Sequence, residues 1–233
     1  MRGAGPTPIL SENFEGFDLG QLAPQGGWSS QFDANAVVTD INPISGTRSA
    51  RHISDGTSVP GLEIRSPQFD AGFEPVTSTV SISSTGSTYD IAPRGLDFGL
   101  FNTRVRFDRD GMVRVGEPEV GKFGDVSFDF IDTGFNWLVD TDYRVSIQIF
   151  SDGGLTVGIN GSEIFSGMET TFEVFGIAGQ IQEFNIFAGN EGVGSADGTG
   201  DTLTLDNVLV GIPAPGAAAL FGLGGLAATR RRR

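Results

Sequence analysis

The sequence predicts an all-β domain of two packed antiparallel sheets, and three observations carry that prediction. Short segments that alternate apolar and polar residues recur along most of the chain, each closed by Gly, Pro, Asn or Asp turn signals. No stretch of helical length before residue 212 keeps a 3.6-residue apolar period. The composition holds 35 Gly and 19 Phe against 2 Tyr and 2 Trp, with 38% apolar residues, which suits short strands around one core. A body of about 210 residues is an ordinary size for one sandwich.

Taken in order, a strand over 9–14 enters a glycine-punctuated loop that ends on Trp28. Short strands follow at 36–40, 48–54 and 62–66, separated by Asn42-Pro43, Ser45-Gly46, Asp55-Gly56 and Pro60-Gly61. Over 76–83, Val76, Ser78, Val80 and Ile82 share one face; serine and threonine on both faces leave the buried side open. Segments 103–108 and 112–115 flank Asp110-Gly111, a hairpin signal. Val126, Phe128 and Phe130 alternate with Asp125, Ser127 and Asp129, giving a strand with one apolar and one acidic face. Strands at 143–149, 155–159 and 163–165, joined by the 151–154 turn and by Asn160-Gly161, form a meander. Segments 171–178 and 180–188 supply two more strands, and the loop 189–201 leads to the last strand, 202–210.

The formal net charge is -14, and without the four terminal arginines 11 basic residues face 29 acidic ones, a balance of -18. Nucleic acid and anionic membrane surfaces are therefore poor partners. The absence of cysteine removes disulfide and thiolate chemistry. His52 is the single histidine, so a histidine-based zinc site is excluded by number, and no Gly-x-Ser-x-Gly elbow accompanies it.

Glycoside hydrolysis needs two carboxylates facing each other across a cleft. The nearest pairing, Glu117 and Glu119, brackets Pro118, which disfavours an interior strand and predicts a solvated turn. Asp125 and Asp129 read as a charged outer face, so no catalytic residue is assigned. Sugar stacking needs exposed aromatic rings, for which Trp28, Tyr89, Trp137 and Tyr143 are the candidates. Tyr143 shares the parity of Val145 and Ile147 and is expected in the core. Trp137 lies in a short connection, and Trp28 either meets a glycan or caps the sandwich.

The wording Phe14-Glu15-Gly16-Phe17, then Leu19-Gly20, then Gly26-Gly27-Trp28 resembles the opening of concanavalin A-like jelly-roll domains of bacterial envelope proteins. The resemblance implies a two-sheet jelly-roll sandwich. The jelly-roll glucanases on this fold carry Glu-x-Asp-x-x-Glu on one strand, a string this chain lacks. Carbohydrate-binding modules with this opening hold a structural calcium through acidic residues near both termini, which here correspond to Glu15 and Asp206. Alternation from Leu203 and Leu205 places Asp206 on the outer face. A second calcium arrangement, wrapped locally by Asp197 and Asp201, stays open beside the first, since hard cations take carboxylate and carbonyl oxygens.

The last 22 residues, 212–233, differ from everything before them. Pro213 and Pro215 precede an uncharged run over 216–228, and Arg230, Arg231, Arg232 and Arg233 close the segment. As a helix the 13-residue run is about 20 Å long, short of the ~30 Å hydrocarbon core. The arginines would stay cytoplasmic by the positive-inside bias. This order resembles the PEP-CTERM sorting signal, with Ala214 where that pattern has Glu. It implies recognition by an exosortase after transient insertion of a short C-terminal apolar helix in the inner membrane. An export signal is then expected, and residues 1–10 lack its apolar core, which places it upstream.

The reading is an N-terminal segment, 1–8, a jelly-roll sandwich, 9–211, and a sorting tail, 212–233. Its function is that of a non-catalytic, exported envelope or matrix protein whose partners are an exosortase and extracellular polysaccharide. The alternatives are a glycan-active enzyme on the same fold and a purely structural surface domain.

Overall fold

The computed structural model describes residues 7–30, 36–53, 62–71, 74–86, 88–94, 103–120, 126–169, 181–188 and 202–212. They form two antiparallel sheets packed as a sandwich. The first runs β14 (Ser162–Met168), β13 (Gly154–Ile159), β12 (Tyr143–Ile149), β7 (Val76–Ser84), β16 (Thr202–Ile212), β5 (Ser49–Ile53), β4 (Ala36–Thr39) and β2 (Gly20–Gln21). Strand β1 (Thr7–Glu12) also pairs with β16. The second runs β11 (Val126–Asn136), β10 (Met112–Val120), β9 (Arg104–Phe107), β8 (Tyr89–Arg94), β15 (Glu183–Ala188), β6 (Leu62–Arg65) and β3 (Ser29–Ser30).

Alternation fixes which way each sheet faces. Along β7 every second residue from Val76 to Ser84 is buried, with Thr77, Thr79, Ser81 and Ser83 on the outer side. Val145, Ile147, Ile149, Leu155, Val157 and Ile159 meet Ile91, Val105, Phe107, Val113, Val115, Phe184 and Ile186 in one core. Tyr143 reaches across the sandwich to Phe107, with ring centroids 6.1 Å apart, and its hydroxyl accepts a hydrogen bond from the Leu138 N–H at 2.8 Å. At Asn160-Gly161 both φ angles are positive, 52° and 82°, as the tight turn between β13 and β14 requires.

Two expectations change here. Glu117 and Glu119 lie on β10 rather than in a turn, paired in register with Asp129 and Ser127 of β11. Proline is accommodated between them because the β9 register covers only Val113 to Gly116; beyond it β10 has β11 alone among the described strands, and an edge tolerates a missing donor. Phe130 turns away from the core: Gly116 is its cross-strand partner, whereas the inward residue Val115 pairs with Ile131. His52 is buried, paired across β5 with Ala36 and Leu203 on the core side.

Segment 171–178, Asp125, Asp197, Asp201, Pro213, Pro215, the apolar run and Arg230 to Arg233 lie outside the described residues. Among the described residues no helix is long and apolar enough to cross a membrane.

Candidate functional site

One edge of β16 is shared. Its first half, Thr202 to Leu205, pairs with β5, and its second half, Val208 to Ile212, pairs with β1. Between them the register with β7 shifts, and Asn207 takes a positive φ of 49°. Asp206 sits at this break and is fully buried rather than peripheral. The outer-face parity expected for it holds, but the segment before β5 folds over that face. Asp206 Oδ2 accepts from the Ser45 N–H at 3.1 Å, the Ser45 hydroxyl at 2.9 Å and the Ser49 hydroxyl at 3.0 Å. Oδ1 accepts from the Asn207 N–H at 2.7 Å.

Glu15 grips the same segment from the other side. Its Oε1 accepts from the Thr47 and Arg48 N–H groups at 2.7 and 3.0 Å, and Oε2 from the Thr47 hydroxyl at 2.6 Å. These bonds, led by the Thr47 hydroxyl, hold its carboxyl below the usual range. Gly46 lies under Glu15 with φ +59°, where a Cβ would collide with the carboxylate. The opening motif and the last strand thus hold one loop, Glu15 through Thr47 and Arg48 and Asp206 through Ser45 and Ser49. A calcium ion takes six to eight oxygens, roughly, and would have to displace these donors. Among the described residues no three carboxylate or imidazole groups gather to hold a metal. The arrangement does not fit a calcium cage.

Both tryptophans are interior. Trp28 is 1% exposed and packs on Phe14 with centroids 5.4 Å apart, closing one end of the sandwich. Trp137 is 4% exposed; its Nε1–H donates to the Asp108 carbonyl at 2.7 Å, and its ring packs on Tyr89 and Phe107. Neither offers a face to a sugar, because each ring fills the apolar space that a strand end leaves. Tyr89 lies stacked on Phe107 at 5.1 Å, and burial pushes its hydroxyl pKa well up.

The polar chemistry concentrates on the outer face of the second sheet. Strand register sets two adjoining rows there: Arg65, Asn185, Ala92, Arg104, Gly116 and Phe130, beside Asp90, Arg106, Arg114 and Asp132. Asp90, 1% exposed, accepts from Arg106 Nε at 2.7 Å and Nη2 at 3.1 Å and pairs with Arg104 as well. The Arg106 guanidinium lies 3.9 Å from the centroid of Phe130. This cation–π contact holds the ring on the outer side of β11. Arg114 binds Asp110 and Asp108, and the Asp110 bond holds that carboxyl low. At the end of the face, Glu183 is 4% exposed and its Oε2 has no hydrogen-bond partner.

The sequence reading did not single out Arg65, Asp90, Arg104, Arg106, Phe130, Glu183 or Asn185. Their signal was present as Arg-Val-Arg-Phe and Glu-Phe-Asn-Ile alternation. What was missing was that β8 and β15, far apart in the chain, lie side by side.

No protein-family model matches the chain, nor does any curated protein match it in sequence. Solved structures share its fold. The endo-β-1,4-glucuronan lyase of the fungus Trichoderma reesei is 12% identical, with TM-score 0.58, over 88% of this chain and 95% of that one. An alginate lyase in complex with an alginate trisaccharide is 13% identical, with TM-score 0.54, over 91% of this chain and 100% of that one. A sialidase is 13% identical, with TM-score 0.60, but this chain spans only 18% of its length. At these identities the fold, a two-sheet antiparallel sandwich, is what this chain shares with them.

Proposed function

We propose that this protein is an exported, non-catalytic envelope or matrix protein whose sandwich contacts polysaccharide through the outer face of the second sheet. The observation that carries the reading is the ordered polar floor formed by Asp90, Arg104, Arg106 and Phe130 on that face. Arg106 is fixed by two bonds to Asp90, so little side-chain freedom is lost when a ligand meets it. The glucuronan lyase, the alginate lyase and the sialidase share this sandwich, which supports a glycan as the ligand class.

A non-catalytic role is favoured by the lack of an imidazole, phenol or amine base among the described residues of this face. Eliminating a sugar substituent needs a group that removes a ring proton. The chain has one histidine, two tyrosines and one lysine. His52, Tyr89 and Tyr143 are buried, and none belongs to the rows of the polar face; Lys122 lies outside the described residues. Export and sorting rest on the sequence order of residues 212–233, with an exosortase as the partner that recognises the tail.

Calorimetry with the whole chain tests the glycan reading, using hexaoses of alginate, cellulose, laminarin and mannan. At least one should bind, and Arg106→Ala should weaken that binding roughly tenfold or more. If no hexaose binds, or if binding is indifferent to Arg106→Ala, the reading is wrong. Release of unsaturated or reducing ends from any of them would replace it with an enzyme. Intact mass of the protein recovered from its host tests sorting: loss of the 216–233 segment is expected, and a mature form ending at Arg233 would overturn it.

A further inference from the structure

The outer face of the first sheet carries a groove of about 600 Å³, within the range of small-ligand sites. Its floor is one cross-strand row, Arg51 of β5, Thr204 of β16 and Ser83 of β7. Asn42 and Pro43 form one wall, Asp140 and Asp142 the other, and Thr85 and Thr202 close an end.

The walls are pinned. Arg51 Nε donates to the Thr204 hydroxyl at 3.1 Å, while Nη2 donates to the carbonyls of Ile41 and Asn42. The Asp140 N–H donates to the Ser84 carbonyl at 2.8 Å, and the Thr202 N–H to the Thr85 hydroxyl at 2.8 Å. These bonds leave a defined set of groups facing the groove. Thr204 and Thr85 each accept one bond and keep a hydroxyl proton to donate. Asp140 and Asp142 are exposed, and among the described residues no donor binds either carboxylate.

Charge selects the ligand. The Arg51 guanidinium in the floor opposes a bare cation, and two carboxylates in the wall oppose an anion. What remains is a neutral molecule with hydroxyl donors for the aspartates and lone pairs for Thr204, Thr85 and Arg51. The rims are aliphatic: Ile41 is 62% exposed beside one wall, and Leu138 and Val139 are 68% and 51% exposed beside the other. Neutral hexoses present both kinds of surface, vicinal hydroxyls around the edge and C–H groups on the ring face.

We infer that this groove is a second glycan site, for a neutral oligosaccharide, on the side of the sandwich opposite the arginine-bearing face. It is independent of the first site and uses none of its residues. The test is titration of the full chain with mannohexaose, cellohexaose and laminarihexaose, followed by calorimetry and amide chemical shifts. At least one hexaose should shift the amides of residues 83–85 and 140–142. Asp142→Asn should weaken its binding about tenfold, through loss of a charged acceptor, while Arg106→Ala leaves it unchanged. Both substituted groups are solvent-facing or peripheral to the core, and a second variant, Ser83→Trp, fills the floor and should abolish binding. The inference is overturned if no hexaose perturbs these amides, if Asp140→Asn and Asp142→Asn together leave binding intact, or if calcium chloride alone binds there. Loss of all hexaose binding in Arg106→Ala would also overturn it, and would assign that binding to the other face.

Discussion

Asp206 and Glu15 act on one segment of chain by the same means, a carboxylate that accepts several backbone and hydroxyl donors. Asp206 is fully buried, so removing its carboxylate strands two serine hydroxyls and the Ser45 N–H. Asp206→Ala should cost about 2–4 kcal/mol, read as a fall in the urea midpoint; an unchanged midpoint would show that the loop does not depend on it. Glu15 is partly exposed, and its effect is visible in pH dependence. Its carboxyl is held below its usual value by Thr47 and Arg48. The stability it contributes is therefore present above an unfolded pKa of about 4.3 and is lost as pH falls through the depressed folded value. The urea midpoints of wild type and Glu15→Gln should differ at neutral pH and converge below that window. A gap that persists at low pH would contradict the assignment. Chelation should leave the melting temperature unchanged, because loop donors occupy the carboxylates; a rise with added calcium would overturn that account.

At the level of elements, the meander is held by its turns. Asn160 and Gly161 both have positive φ, and the Asn160 side chain accepts from the Arg144 N–H at 2.9 Å. Gly161→Val should destabilise the domain by about 1–3 kcal/mol, since a β-branched residue strains at φ 82°. Gly161→Asn should cost much less, and equal losses in thermal melts would argue against the turn's role. Strand β11 shows the limit of binary patterning. Phe130 lies outward because the Arg106 guanidinium gives its ring a partner there. Apolar alternation alone does not say which face meets the core.

On the scale of the molecule, two polar outer faces lie on opposite sides of one core. One carries Arg104 and Arg106 locked to Asp90; the other carries the groove between Arg51 and Asp142. If both bind glycans, one domain can bridge two chains, which is a useful property in an extracellular matrix. The wild-type domain should carry the soluble glycan bound by its arginine face onto beads bearing the neutral hexaose of its groove. Arg106→Ala and Asp142→Asn should each cut bridging about tenfold at fixed glycan concentration while retaining binding at the other face. Undiminished bridging in either variant would contradict the two-face arrangement.

The sequence by itself determined the all-β class, most strand positions, and the turns at Asp110-Gly111 and Asn160-Gly161. These follow from period-two alternation and turn stereochemistry, both local properties of the chain. Only the tertiary structure decided that Trp28 and Trp137 close the core, that Asp206 is buried under the 45–49 loop, and that Arg106, Asp90 and Phe130 share a face. Those outcomes depend on which strands become neighbours. Residues 90 and 106 come together through hydrogen-bonded pairing of β8 with β9, and residues 51 and 142 through β16 and β7 between them. Such pairing is set by global burial of the inner faces, and no single segment of the chain encodes it.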